Sequence, residues 1–110
     1  MKLEKFKSLL NEFQERESSL LDVKRDEYAS QDADVLENFA SLAQLLRRKP
    51  EQVAAVLLAK HIQSILKQVE EGSYTWDWEA ARGEGFKQRI SDARNYLILL
   101  AACIEDGRDV

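Results

Sequence analysis

One proline and four glycines punctuate 110 residues, and three of those glycines fall between 72 and 85. Sandwiches and barrels need a turn signal roughly every 8 to 12 residues, so a chain this poor in breakers is expected to form long, uninterrupted helices. The length suits one domain with a single packed core. At 45% hydrophobic and 33% charged residues the composition is that of a globular chain, not a disordered one. An all-α bundle of four main helices follows, over about 3–29, 34–48, 50–71 and 86–106, with an aromatic loop at 72–85.

The strongest pattern is the last. At about 100° per residue Phe86, Ile90, Ala93, Leu97, Leu100, Ala101 and Ile104 make one continuous stripe, flanked by Arg89, Asp92 and Tyr96. The spacing predicts a core helix with a polar edge. Residues 96–104 (YLILLAACI) are apolar on every side, so this half must be covered all round, by the other helices or by a second copy. With the long first helix, that surplus makes a homo-oligomer, most simply a dimer, the expected state.

In the first segment Leu3, Phe6, Leu10 and Phe13 recur at spacings of three and four, a register that continues through Glu17, Leu20 and Lys24 to Glu27 and Tyr28. One helix is the preferred reading. A break near Ser18 is the alternative, because 14–19 holds no apolar residue and Ser19 with Asp22 can cap a fresh start. Asp32 or Asp34 then caps a second helix whose face is Val35, Leu36, Phe39, Leu42, Ala43 and Leu46, with Asn38 at its edge. Arg47, Arg48 and Lys49 suit the carbonyl end of its dipole. Pro50 fits the first position of a third helix and Gly72 its end. Its stripe is Ala54, Leu58, Ile62, Ile65 and Val69, bordered by His61, Ser64 and Gln68, with Lys60 further round. The 72–85 connection holds both tryptophans and Tyr74. A connection of this kind is packed down or functional more often than slack. Aromatics plugging the end of a bundle are the plainer reading, a lid over a site the sharper one.

A net charge of −4 and a pI near 5.1 leave no electrostatic footprint for nucleic acid or an anionic membrane surface. The apolar run near the C-terminus falls far short of the roughly 20 residues that span a bilayer. The start, MKLEKFKSLLNEFQ, has no apolar h-region and no small-residue cleavage site, so no signal peptide is expected. The single cysteine, Cys103, lies in the apolar run as a small buried hydrophobe. A cytoplasmic location is the expectation.

Polar side chains bordering core stripes on several helices are where a bundle builds a site between helices. The candidates are Glu27 and Tyr28, Asn38, Lys60 and His61, and Arg89, Asp92, Asn95 and Tyr96. This mixture of cations, carboxylates, amide and phenols suits an anionic ligand or a metal-bound phosphate. It equally suits a plain interhelical hydrogen-bond network. Within it Lys60, His61, Arg89 and Asp92 are expected to share one site between the third and fourth helices. Arg89 and Asp92, three residues apart on one flank, are close enough to interact. The sequence RDEYAS at 25–30, DVLENF at 34–39, PEQV at 50–53, AKHIQSI at 59–65 and RISDARNYLILL at 89–100 resembles a group of small helical phage and prophage proteins. That group is similar in layout to the nucleotide-modification-associated domain and, more distantly, to the all-α nucleotide pyrophosphohydrolases of the MazG and dimeric dUTPase type. The resemblance covers about 24–106 and implies a host-cytoplasm location.

The enzyme resemblance implies hydrolysis of nucleoside triphosphates with magnesium held by an EExxE motif on one helix and an ExxD motif on another, since carboxylates at i, i+3 and i+4 present hard oxygens on one face. Here the ExxD position reads Arg89-Ile90-Ser91-Asp92, and no EExxE occurs; Glu70-Glu71 runs straight into Gly72. Of such a metal set only Asp92 and Glu27 are candidates. The expected function is therefore binding without catalysis and without a cofactor, of a protein or a small anionic, nucleotide-like ligand, through Lys60, His61, Arg89, Asp92, Tyr96, Asn38 and Tyr28. A divergent magnesium-dependent pyrophosphohydrolase is the alternative and a purely structural helical subunit the third reading. A lone histidine makes no zinc site, and neither GxSxG, P-loop nor GxGxxG occurs. Catalysis by Cys103 would need an exposed, activated thiolate.

Overall fold

The computed structural model describes residues 1–27, with the backbone alone from 20 to 27, and residues 35–108. Among these the fold is all-α: α1 (Leu3–Glu27), α2 (Glu37–Leu46), α3 (Pro50–Glu71) and α4 (Phe86–Arg108), with two short strands, β1 (Glu79–Ala80) and β2 (Gly83–Glu84), ahead of α4. The chain divides into two units, Met1–Asp34 and Val35–Val110.

The first unit contributes α1, which passes through Ser18 and Ser19 without a break. Tyr28, Asp32 and Asp34, expected to end this helix and cap the next, lie outside the described residues, as does the side chain of Glu27.

In the second unit α2 is shorter than the 34–48 expected. It begins at Glu37 with Leu36 in the N-cap position, and it stops at Leu46 because Arg47 adopts the left-handed conformation (φ 54°, ψ 46°). The Arg47 N–H then donates to the Gln44 carbonyl at 3.3 Å and the Arg48 N–H to that of Ala43 at 2.9 Å. These bonds satisfy the helix's last carbonyls in place of basic side chains in the final turn, so Arg47, Arg48 and Lys49 lie beyond the helix. Lys49 is extended, Pro50 takes the first helical position, and the Lys49 N–H donates to Gln52 Oε1 at 2.8 Å. At the other end Gly72 adopts φ 69° and donates its N–H to Gln68. Both punctuating residues of α3 thus act as their chemistry predicts.

The aromatic loop is packed down. β1 and β2 pair antiparallel, Glu79 with Glu84 and Ala80 with Gly83. Tyr74 stacks on Phe86, the first residue of α4, with centroids 4.4 Å apart, and Trp76 lies at 6.2 Å from the same ring. The Phe86 N–H donates to the Thr75 carbonyl at 2.8 Å and that of Lys87 to Trp76 at 3.3 Å. Two of the N–H groups orphaned at the start of a helix are therefore satisfied by the loop. Lys87 Nζ lies 5.2 Å from the Trp76 centroid.

α3 and α4 run antiparallel: Arg89, early in α4, meets Ser64, late in α3, and Cys103, late in α4, clusters with Val53 and Ala54 at the start of α3. The core joins Leu36, Phe39 and Ala43 of α2 to Val53, Ala54 and Cys103, with Leu57, Tyr96, Leu99, Leu100 and Ala102 against it. Ala54 is wholly buried.

One expectation is corrected. The stripes predicted to face the core do so only in part: Ala54 on α3 and Phe86, Ala93 and Leu100 on α4 are buried or packed on the core, while other members turn outward. On α3 the inward line runs through Ala54, Leu57, His61 and Ser64, leaving Ile62 39% and Val69 56% exposed. On α4 Tyr96 and Cys103 turn inward while Leu97 and Ile104 are 51% and 47% exposed. The contacts Arg89–Ser64 and His61–Tyr96 lie along the inward polar border, where Ala54 is buried.

Candidate functional site

The corrected register places the polar border of α3 against that of α4. His61 and Tyr96 lie ring against ring, centroids 4.6 Å apart and planes inclined by 32°. The edge of Phe39 meets Tyr96 at 6.3 Å and 89°, so α2 supports the phenol from the core side. One turn along, Arg89 Nη1 donates to Ser64 Oγ at 2.9 Å, and Gln68 Nε2 donates to the same oxygen at 3.4 Å. Asp92 accepts from Gln88 Nε2 on its own helix at 2.9 Å. His61, Ser64, Gln68, Arg89, Asp92 and Tyr96 are all half-buried, and Ser91 beside them is buried.

Four expected site residues thus fall on this seam: His61, Arg89, Asp92 and Tyr96. The interaction expected between Arg89 and Asp92 is replaced by two others, because Arg89 reaches across to Ser64 while Asp92 is held by Gln88. Lys60 is exposed on α3, a position away from the inward line, and Asn38 is exposed on α2, its neighbour Phe39 being the buried one. Neither joins the seam. Tyr28 lies outside the described residues. Ser64, Gln68 and Gln88 were missed as participants. The signal for the first two was their spacing of three and seven from His61, and for Gln88 its place four before Asp92.

The chemistry of this line is a guanidinium bonded to a neutral hydroxyl rather than to a carboxylate, next to a stacked imidazole and phenol. Arginine offers five donors in a planar fork, and one hydroxyl engages few of them. The seam has donors to spare for an anion. Among the described residues no three of His, Cys, Asp and Glu come together as a metal group, and the side chain of Glu27 lies outside those residues.

Cys103 stands apart from this chemistry. It is 2% exposed, and burial, followed by the carboxylates of Glu51 and Asp106, pushes its thiol above the ordinary range. A thiol held protonated is a poor nucleophile, so a thiol reagent at pH 8 should label Cys103 at full rate only after unfolding. The folded thiol keeps its proton above roughly pH 8.5, where the unfolded thiol has lost its own. The unfolded state then binds fewer protons, and stability should fall as pH rises through that range. Urea midpoints at pH 7 and pH 9.5 that coincide for native protein and separate for Cys103→Ala would contradict this.

No helix among the described residues is long and apolar enough to cross a membrane. Comparison with known protein families, with characterised proteins and with solved structures finds no match.

Proposed function

We propose that this protein acts by binding, as a phage-type accessory protein that takes a small anionic ligand of nucleotide type at the α3–α4 seam. The observation that carries the reading is Arg89, a half-buried cation whose bonded partner is the Ser64 hydroxyl. A charged group taken partly out of water is costly unless it is compensated, and a phosphate oxygen compensates it better than a hydroxyl does. In the ligand complex Arg89 turns from Ser64 to the phosphate in bidentate fashion, and Ser64 and Gln68 remain as hydrogen-bonding neighbours. His61 donates a further bond from the rim, while Asp92 stays bonded to Gln88 on its own helix. Tyr96 is held by Phe39 and His61 and forms the wall against which a flat group can lie.

The seam suits binding better than hydrolysis, because the acid that would sit three residues before Asp92 is Arg89. A melting-temperature screen against the common ribo- and deoxyribonucleoside mono-, di- and triphosphates, run with and without magnesium, tests the reading. A concentration-dependent rise with at least one nucleotide, and no pyrophosphate released from any triphosphate, is expected. Pyrophosphate release that Asp92→Ala abolishes would replace binding with magnesium-dependent hydrolysis. No response to any nucleotide would leave a structural helical subunit.

A further inference from the structure

His61 is the chain's only histidine, and histidine is the side chain whose charge ordinarily changes between about pH 5 and 8. It is half-buried at the seam with its ring 4.6 Å from that of Tyr96, and it lies one helical turn before Ser64, the hydroxyl that accepts from Arg89. The charges around it come from few places. Among the described residues α4 brings Arg89 and Asp92 to the same border, while Arg94 lies about 160° round that helix from Tyr96. The only charged residue within α2 is Glu37, exposed at its start, and on α3 itself the adjacent Lys60 is exposed. Arg89 and Asp92 offset one another in net charge. With a neutral imidazole these described charges are therefore balanced before any ligand arrives.

An anion held by Arg89 adds negative charge to a half-buried place that already contains Asp92. Charge left uncompensated out of water is costly, and a proton on His61 supplies the missing positive charge one turn away. We propose, on the anion-binding reading of the seam, that His61 takes up a proton as the anion binds, so that affinity rises as pH falls. The Tyr96 ring supports the protonated state, because a cation within about 6 Å of a phenol face is attracted by its quadrupole. The proton is present below the titration midpoint of the imidazole and lost above it, so the low-pH form is the tight-binding one. The coupling is reciprocal: a proton that strengthens the anion's hold is itself held more firmly once the anion is there.

Inorganic sulfate is the probe, because its charge is fixed across this range whereas phosphate monoesters themselves titrate near about pH 6. In proton NMR of the full chain the ring of a single histidine gives one titration curve. Its midpoint should move upward by about one pH unit on saturation with sulfate, and calorimetry should find sulfate bound nearly tenfold more tightly at about pH 5.5 than at about pH 8.5, the same linkage seen from either side. His61→Gln keeps a hydrogen-bond donor and cannot titrate, so its sulfate affinity should differ by less than about twofold between those pH values. If that variant loses its helical circular dichroism, the wild-type NMR curve decides alone. A histidine midpoint that sulfate leaves in place, or a pH dependence that folded His61→Gln retains, overturns the inference. If a nucleotide nevertheless raises the melting temperature, the binding reading stands without it, whereas no response to sulfate or to any nucleotide removes both.

Discussion

Phe39→Ala should cost about 3–5 kcal/mol, the range for removing a buried aromatic ring from a core that collapses only in part. Phe39 is 7% exposed and sits where the three helices of the second unit meet: Leu36 and Ala43 share its helix face, Val53 and Ala54 come from α3, and Cys103 from α4. Its edge contact with Tyr96 adds a further loss, because an aromatic pair contributes about 0.5–1.5 kcal/mol beyond its buried area. In a domain of this size each kcal/mol moves the melting temperature by roughly 4–8 °C, so the midpoint should fall by more than about 10 °C. Leu45→Ala on the same helix, at 78% exposure, is the matched control and should stay within about 0.5 kcal/mol. Equal effects from the two substitutions in urea titrations would show that α2 packs by another face.

Gly85→Ala should be nearly as damaging, for a reason that has nothing to do with volume. A Cβ at this position would fall on the carbonyl oxygen of Asp77, with the Asp77 and Trp78 carbonyl carbons at 2.6 and 2.9 Å. All three are backbone atoms, so the relief must come from the chain path itself. The Gly85 N–H donates to the Trp78 carbonyl at 2.8 Å, and Phe86 and Lys87 follow with their own bonds to Thr75 and Trp76. Pushing Gly85 away breaks the hairpin closure and the start of α4 together, at a cost of about 3 kcal/mol or more. Gly107→Ala is the contrast: it lies within α4 with open space around its Cβ position, and should stabilise by about 0.5–1 kcal/mol. A change in tryptophan emission with Gly85→Ala, and none with Gly107→Ala, would locate the damage at Trp76 and Trp78. Two alanine variants as stable as the parent would mean that the loop does not pack on α4.

Helix count and the bounds of α3 were legible because Pro50 and Gly72 act through covalent properties that no tertiary contact changes. The end of α2 was not, since nothing in its composition marks Arg47 for the left-handed conformation that a glycine usually takes there. The hairpin at 79–84 was hidden in the same way: its turn, Ala81-Arg82, carries none of the Asn-Gly or Gly-Gly signals that announce two-residue turns. The inward faces of α3 and α4 show a different limit. Both helices are apolar over more than one face, and hydropathy ranks the line through Ile62 and Leu97 above the line through His61 and Tyr96. Which line turns inward depends on partners that periodicity cannot see. Within the candidate site, spacing assigned Lys60, His61, Arg89 and Asp92 to one α3–α4 site, of which Lys60 is exposed and away from the seam. It could not foresee that Ser64 would take Arg89, because a hydroxyl's choice of donor depends on the height at which two helices meet.

The proposed role of the α3–α4 seam is to bind an anion through Arg89 and His61, with the fold carried by the buried core of Phe39, Ala43, Val53, Ala54 and Cys103. Calorimetric titration of the nucleotide that most raises the melting temperature, into the parent protein and into Arg89→Gln and His61→Gln, tests it most directly. The parent should bind with one site per chain. Arg89→Gln should bind at least tenfold more weakly and His61→Gln severalfold more weakly, with unliganded melting temperatures shifted by only a few degrees. Unaltered affinity in both folded variants, or unfolding of both, would contradict the claim and leave Arg89, Ser64, His61 and Tyr96 as a packing network.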